Sequence, residues 1–248
     1  MPDIATLPVL LKALRLPSFA RHWQRLSDTA HTEGWLAPQF LAELCELELA
    51  ERHTRRIQRF AQQSQLPSGK TLACFDFKHA KGVDRRRVRA LSEDADWVTE
   101  AHNLILFGPS GVGKSHLAAA IGHALIEQGV RVRYTTATAL VQELQSARQA
   151  LKLPEALAKL DKFSVLIIDD LGYVKKDEHE TSVLFELIAH RYESASLIVT
   201  ANQPFSEWDQ IFTDSMMTVA AVDRLVHHAQ IIEITNQSYR RRAASLSH

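Results

Sequence analysis

The sequence predicts an α/β fold, a five-stranded parallel sheet flanked by helices and preceded by a small all-helical domain. From about residue 100 onward, short β-branched runs alternate with amphipathic helical stretches. The runs are apolar along almost their whole length, which is typical of parallel strands covered on both faces. Residues 1 to about 70 contain no such run and show helical spacing instead.

The N-terminal part of the chain repeats apolar residues at helical intervals. Leu7, Leu10, Leu11 and Leu14 form one set, and residues 40–49 carry a second. Proline and glycine residues punctuate these stretches, so we expect three or four helices. The segment LPSGK at residues 66–70 is predicted to be a linker. The chain is therefore predicted to divide into domains 1–70 and 71–248.

The second domain is predicted to alternate regularly between strand and helix. The five strands are placed at Asn103–Phe107, Val130–Thr135, Val165–Asp169, Ser196–Ala201 and Gln230–Thr235. The helices between them are placed at Gly113–Gln128, Ala137–Ala150, Glu180–Glu193 and Asp214–His228. This order favours a parallel sheet with crossover helices.

A phosphate-binding loop follows the first predicted strand and begins the first helix. The motif G-x-x-x-x-G-K-[ST] is matched at every specified position, although chance alone gives roughly one match per hundred chains of this length. Its glycines let the backbone N–H groups turn inward around phosphates. The lysine reaches the β- and γ-phosphates, and the serine hydroxyl binds Mg²⁺. The predicted ATP-binding residues are Gly108, Pro109, Ser110, Gly111, Val112, Gly113, Lys114 and Ser115.

Two adjacent carboxylates end the third predicted strand. We assign Asp169 to the Mg²⁺ ion and Asp170 to activation of the attacking water. A helix N-terminal cap is the alternative for either residue alone. Next to the phosphate-binding loop, the pair forms the expected second half of an ATP-hydrolysing site.

Two further residues are candidates for catalysis. Asn202 follows the fourth strand and is expected to orient water near the γ-phosphate, with a simple turn residue as the alternative. Arg224 lies near the end of an amphipathic helix and could serve as an arginine finger for a neighbouring subunit. Its alternative is a local helical pair with Asp223.

A resemblance to a known family now becomes visible. The segments GPSGVGKSHLA, VLIIDDLGY, LFELIAHRY, TANQPFSEW, VDRL and SYR resemble those of the IstB-like ATPases, which help bacterial insertion-sequence transposases. The segment FDF at 75–77 also fits the start of that family's ATPase domain. The match covers about Phe75 to Arg240.

The resemblance implies an AAA+ fold of the ASCE type, in the branch that holds DnaC-type helicase loaders and is related to DnaA. It also implies that Asn202 is sensor 1, that Arg224 is a trans-acting finger, and that homo-oligomers assemble on DNA with ATP and a transposase as partners. The last predicted strand leaves few residues, so we expect no C-terminal helical lid. Arg240, Arg241 and Arg242 are candidate substitutes for the lid's sensor 2 arginine, or a solvated basic tail.

The net charge is zero, with 29 basic and 29 acidic residues, so overall charge does not indicate nucleic acid. Two local clusters of basic residues do indicate nucleic acid, because basic groups bind phosphates without reading sequence. A solvated charged face is an equal alternative. The first cluster is Lys78, Lys81, Arg85, Arg86, Arg87 and Arg89, and the second is Arg52, Arg55, Arg56 and Arg59. We expect duplex DNA to be bound with weak sequence preference.

Composition excludes several other classes. Two cysteines fit no disulfide framework, and the chain has neither a signal peptide nor an apolar run of membrane-spanning length, so a cytoplasmic protein is expected. The 12 histidines, including His22, His31 and the pair His227–His228, have no supporting ligand set in the sequence. No metal other than Mg²⁺ is predicted.

The leading hypothesis is an ATP-dependent, DNA-binding helper of transposition that assembles with ATP and releases on hydrolysis. A helicase loader of the DnaC type would use the same chemistry with a replicative hexamer as partner. A small-molecule kinase is a third class, but Asp169, Asp170 and Asn202 fit a water-activating ATPase better.

Overall fold

The structure of the chain is a computed structural model that describes residues 3–172, 178–204, 207–208 and 215–235. It separates into two compact units, residues 1–59 and 60–248. The third helix runs on to Ser64, and its last residues belong to the second unit. There, Arg131 lies 5.4 Å from the ring of buried Phe60 and donates a 3.2 Å hydrogen bond to Gln63. The division into functional domains 1–70 and 71–248 stays a prediction.

The first unit confirms the predicted helical N-terminal region. Its helices are α1 (Leu7–Ala13), α2 (Pro17–Glu33) and α3 (Ala37–Ser64). Leu11, Leu26 and Leu44 are buried between them. The carboxylate of Glu48 is also buried, and it accepts hydrogen bonds from the Ser18 N–H at 2.8 Å and from Arg52 Nε at 2.7 Å. Buried charge is tolerated here because it is paired and hydrogen-bonded.

The second unit contains the predicted parallel sheet, with strand order β2-β3-β4-β1-β5. Its strands are β1 (Asn103–Phe107), β2 (Val132–Thr136), β3 (Val165–Asp169), β4 (Ser196–Ala201) and β5 (Ala229–Glu233). All four neighbouring pairs are parallel. The five-stranded sheet confirms the predicted fold class.

Seven helices of the described chain accompany this sheet. They are α4 (Arg85–Glu93), α5 (Asp96–Thr99), α6 (Lys114–Glu127), α7 (Ala137–Gln149), α8 (Leu153–Leu160), α9 (Glu178–Arg191) and α10 (Ser215–Val226). Within the residues that the structure describes, no helix combines the length and the apolar character needed to cross a membrane.

The central strands are buried on both faces, as the apolar runs predicted. Alternate residues such as Ile105, Leu166 and Val199 join a core with helices α7 to α10. The residues between them point the other way, toward α6. A Cβ atom on Gly122 of α6 would lie 2.8 Å from the side chain of Ile167, so this helix packs closely on the sheet.

Strand β5 lies at one edge of the sheet, and the start of α4 and the turn before it pack against the strand. Arg87 donates hydrogen bonds to the Gln230 side chain at 3.1 Å and to the Ile231 carbonyl at 3.0 Å. Gly82 adopts a φ of +88°, and a Cβ atom there would lie 2.2 Å from the carbonyl oxygen of Glu233. A glycine is therefore required where this turn meets the strand.

Candidate nucleotide-binding site

The phosphate-binding loop lies where the sequence placed it, between β1 and α6. Gly108, Gly111 and Gly113 have φ values of 144°, 82° and 106°, a region that other residues rarely adopt. A Cβ atom on Gly113 would also lie 3.1 Å from the ring of Phe75. Helix α6 begins at the next residue, so its N-terminal N–H groups face the loop.

The side chain of Lys114 turns back into this loop and is 4% exposed. Its Nζ donates hydrogen bonds to the carbonyl oxygens of Gly108 at 2.7 Å and Pro109 at 2.9 Å. A third bond of 2.6 Å goes to Oδ1 of Asn202, at the end of β4. Two residues that are 88 positions apart in sequence therefore meet at the loop.

Asp169 ends β3 with its carboxylate buried, at 4% exposure. Its Oδ1 accepts a 2.5 Å hydrogen bond from the Thr200 hydroxyl, and its Oδ2 accepts one of 2.5 Å from the Tyr134 hydroxyl. Burial, followed by the bond to Asp169, raises the pKa of Tyr134, so the phenol stays protonated and donates. Two hydroxyl groups thus fix the orientation of this carboxylate.

Asp170 follows with a φ of 59°, in the left-handed region that aspartate tolerates better than most residues. Its N–H donates a 2.9 Å hydrogen bond to the hydroxyl oxygen of Thr200. The hydroxyl of Thr200 therefore contacts both acidic residues. The two carboxylates have different surroundings, because Asp170 lines the open cavity while Asp169 is buried.

The cavity beside the loop has a volume of about 610 Å³, within the range of ligand pockets. Lys114, Ser115, Asp170 and Asn202 line its polar end. The segment before α4 supplies a second part of the wall, with Lys70, Cys74, Phe75, Asp76, His79 and Ala80, beside residues 110–113 of the loop and His116. This wall offers an aromatic ring beside the loop, which suits a planar base next to a phosphate chain.

Arg224 lies apart from this cavity. It lines a separate groove of about 530 Å³ on α10, together with Tyr192, Met216, Val219, Ala220 and Asp223. Its Nη1 donates a 2.9 Å hydrogen bond to the Ala220 carbonyl, and its guanidinium carbon lies 5.4 Å from the Phe185 ring. Because α10 leads back to the start of β5, Arg224 lies toward the amino edge of the sheet. The nucleotide loop is at the carboxyl edge.

The basic clusters are partly engaged in contacts within the chain. In the first cluster, Arg87 is bonded to β5, Arg89 pairs with Glu93 at 2.6 Å, and Arg85 lies 5.6 Å from the ring of Phe77. In the second cluster, Arg52 pairs with Glu48 at 2.7 Å. Arg240, Arg241 and Arg242 lie outside the described residues, as do Phe205 and Ser206 of the PFSEW segment and all of SYR.

Sequence reasoning missed two residues of the site, Tyr134 and Thr200. Both precede strand ends, and a hydroxyl within a β-branched or aromatic strand residue gives no sequence signal that it will meet a carboxylate. The register of β2 and β3, which pairs Thr136 with Asp169, brings the Tyr134 side chain within reach. Pairing between strands that are distant in the chain was needed to find them.

The parallel sheet and the loop together define a P-loop α/β protein. The family model of the IstB-like ATP binding proteins matches residues 9–247. The chain therefore belongs to this family. The predicted resemblance is confirmed.

Several curated relatives resemble the chain over nearly its whole length. The insertion sequence ATP-binding protein y4iQ/y4nD/y4sD of Sinorhizobium fredii is 54% identical over 98% of this chain and 81% of its own length. The insertion sequence IS5376 ATP-binding protein of Geobacillus stearothermophilus is 40% identical, with coverages of 94% and 92%. The IS21 ATP-binding protein of Pseudomonas aeruginosa is 37% identical, with coverages of 94% and 88%.

Solved structures share the fold at lower identity. AMPPCP-bound DnaA from Aquifex aeolicus superposes with a TM-score of 0.58 at 19% identity, over 74% of this chain and 56% of that chain. DnaI gives 0.55 at 24% identity, with coverages of 71% and 94%. The DnaC helicase loader gives 0.55 at 22% identity, with coverages of 67% and 97%. These likenesses establish the AAA+ fold.

Proposed function

We propose that the chain is an ATP-hydrolysing helper of insertion-sequence transposition that assembles on DNA. The observation that carries the proposal is the contact between Lys114 and Asn202, at the polar end of a cavity formed by the loop at 108–115. A phosphate-binding cation and a polar strand end meet there, in a chain whose family is named for ATP binding. The relatives are named for insertion sequences, which supports the same context.

Binding of ATP would follow from the loop. Backbone N–H groups of residues 108–115 and the start of α6 surround the β- and γ-phosphates. The Lys114 ammonium would exchange its carbonyl partners for phosphate oxygens, which are stronger acceptors for a cation. The ring of Phe75 would lie beside the base.

The residues present fit a Mg²⁺ ion. Ser115 lines the cavity, and the Asp169 carboxylate is held in one orientation by Thr200 and Tyr134. Mg²⁺ prefers such oxygen ligands and, when bound, would offset negative charge on the phosphates. Ser115 and Asp169 are therefore proposed as its protein ligands.

Hydrolysis would depend on the residues that face the cavity. The Asp170 carboxylate is proposed to accept a proton from the attacking water. The amide of Asn202 would orient that water and report on the γ-phosphate. Both residues border the cavity beside Lys114, so they can act on the same phosphate.

Assembly of subunits would complete the site. Arg224 lies in a groove of its own rather than in the nucleotide cavity, which supports a role toward a neighbouring copy. Exposed apolar residues beside it, Met216 at 81% and Val219 at 70%, give that groove the character of a contact surface. We propose that ATP bound by one subunit is contacted by Arg224 of the next.

Duplex DNA and a cognate transposase are the proposed partners. Basic residues at 78–89 in the second unit and at 52–59 in the first are the proposed contacts to DNA phosphates. Such contacts would give weak sequence preference and strong dependence on salt.

Assembly on duplex DNA with ATP tests the proposal in the full-length chain. Wild type is expected to form large complexes by sedimentation or electron microscopy, and Lys114→Ala is expected to form none. Asp170→Asn should bind ATP and assemble, but hydrolyse ATP at least about a hundredfold more slowly. Lys159→Ala, which removes an exposed lysine on α8, is the matched control. Normal assembly of Lys114→Ala would refute nucleotide control.

A helicase loader remains the alternative function. The chain shares the fold of the DnaC helicase loader and of DnaI. The names of the curated relatives favour transposition. Binding of the full-length chain to its neighbouring transposase, compared with a replicative helicase of the same cell, discriminates between the two functions.

A further inference from the structure

Two histidines and a carboxylate meet at the amino edge of the sheet. Glu193 follows the end of α9, and His227 and His228 lie between α10 and β5. One ligand atom from each residue lies within 4.8 Å of the other two. The histidine pair has no ligand set in the sequence, because the carboxylate that completes it is 34 residues away.

The distances within this cluster suit a metal ion after a small adjustment. His227 Nδ1 lies 3.8 Å and His228 Nε2 lies 4.0 Å from Oε1 of Glu193. Tetrahedral ligands bonded at about 2.0 Å lie about 3.3 Å from one another. Side-chain rotations that shorten these distances by about 0.5–1.5 Å would therefore close the set. The side chains are 47–57% exposed, so an ion can enter without any opening of the fold.

Neighbouring side chains hold the two imidazoles. The hydroxyl of Tyr192 lies 2.8 Å from Nδ1 of His227, and the ring of His102 stacks on His228 with centroids 5.3 Å apart. Nδ1 of His227 is also the atom that lies 3.8 Å from Oε1 of Glu193, so the Tyr192 hydroxyl would release this nitrogen when an ion binds.

We propose that Glu193, His227 and His228 bind a divalent transition-metal ion of the Zn²⁺ class. Imidazole and carboxylate together suit such ions, and three protein ligands leave a position for water or for a group from a partner. The ion would fasten the end of α9 to the end of α10. Tyr192 belongs both to this cluster and to the groove of Arg224, so the ion would stiffen the wall of that groove.

The first experiment titrates the full-length chain with Co²⁺ and records its visible absorption. Both exposed cysteines are replaced, as Cys45→Ser and Cys74→Ser, so that thiolates do not compete. One Co²⁺ per chain is expected, displaced by an equal amount of Zn²⁺. The absence of stoichiometric binding would overturn the proposal.

Variants of the cluster then locate the ion. His228→Ala and Glu193→Gln are each expected to weaken Zn²⁺ binding by at least about tenfold. His190→Ala is the matched control. This histidine also bonds a carboxylate, that of Asp161 at 3.0 Å, but it is not part of the cluster of Glu193, His227 and His228. Unchanged affinity in either cluster variant, checked for folding by circular dichroism, would place the ion elsewhere.

Hydrogen exchange supplies a readout that does not depend on nucleotide. Zn²⁺ is expected to slow amide exchange near the end of α10 in wild type and in Lys114→Ala alike, because the cluster lies at the edge of the sheet opposite the phosphate loop. The double variant His227→Ala/His228→Ala should lose this protection. Protection that persists in the double variant would contradict the proposal, and this outcome does not depend on whether the chain hydrolyses ATP.

Discussion

The ammonium group of Lys114 donates a 2.6 Å hydrogen bond to the side-chain oxygen of Asn202. This bond joins the start of α6 to the residue that follows β4, and both side chains line the candidate nucleotide cavity. Phosphate oxygens that bound the ammonium would leave the Asn202 amide available to a water molecule. In the proposed mechanism, this exchange couples nucleotide binding to the placement of the attacking water.

Asn202→Ala should separate binding from hydrolysis. ATP affinity is expected to change by less than about threefold, while hydrolysis falls by about 10- to 100-fold because the water loses its orienting amide. Fluorescent-nucleotide titration and phosphate release measure the two quantities. Gln203→Ala, at the next position, is the control and should keep wild-type hydrolysis. Equal rates for the two variants would remove Asn202 from the mechanism.

Tyr134→Phe should impair the site through Asp169. Loss of one buried hydrogen bond to the carboxylate is expected to lower the free energy of unfolding by about 1–3 kcal/mol. It should also raise the Mg²⁺ concentration needed for half-maximal hydrolysis, because the carboxylate can turn. Urea denaturation and a Mg²⁺ titration measure these effects.

Thr135→Val provides the comparison for Tyr134→Phe, since the Thr135 hydroxyl bonds a backbone carbonyl and not Asp169. It should leave the Mg²⁺ dependence unchanged. A normal Mg²⁺ requirement in Tyr134→Phe, despite lower stability, would reduce Tyr134 to a packing role.

Two adjacent arginines of the first basic cluster should respond differently to alanine. Arg86→Ala is expected to weaken DNA binding and to reduce the slope of log affinity against log salt by about 1, without loss of stability. Arg87→Ala should instead lower the free energy of unfolding by about 1 kcal/mol, because it removes hydrogen bonds to Gln230 and Ile231. Filter binding across a salt series and urea denaturation make the comparison. A salt slope that is unchanged in Arg86→Ala would argue against this DNA contact.

Gly82→Ala should be strongly destabilising. Its Cβ atom would meet the Glu233 carbonyl oxygen at 2.2 Å, so the expected loss is about 3 kcal/mol or more. Gly69→Ala is the matched control, because its φ is +77° but no atom lies within 4 Å of the added Cβ. That variant should lose about 1 kcal/mol, from backbone strain alone. Thermal unfolding compares the two variants. Similar losses of stability would show that the backbone at Glu233 moves to accommodate the added Cβ atom.

The central strands could be predicted to the residue, whereas the edge strands could not. The bounds of β1, β3 and β4 agree with the sequence because each is an apolar run buried on both faces. Strands β2 and β5 begin or end one or two residues from their predicted limits. Each has a single neighbour and partly exposed side chains, so hydrophobicity marks its ends less sharply.

Three helices, α4, α5 and α8, escaped prediction for different reasons. Helix α5 spans only four residues. The apolar face of α4 consists of Val88 and Leu91 among four arginines, so its sequence indicates a basic cluster and not a helix. The segment that forms α8 contains Pro154 and is only eight residues long. In the site, the loop and the residues at strand ends follow from local motifs. The hydroxyl partners of Asp169 depend on strand pairing, which the sequence does not display.

Arg87 also affects whether copies of the chain can associate through the edge of the sheet. Strand β5 ends the sheet, and an uncovered edge can accept a strand from another molecule. The Arg87 guanidinium donates a hydrogen bond to the Ile231 carbonyl, and the N–H of Thr235 donates one of 3.1 Å to the Lys81 carbonyl. These bonds obstruct strand addition at this border, so copies concentrated along DNA would be protected from fusing into a continuous sheet.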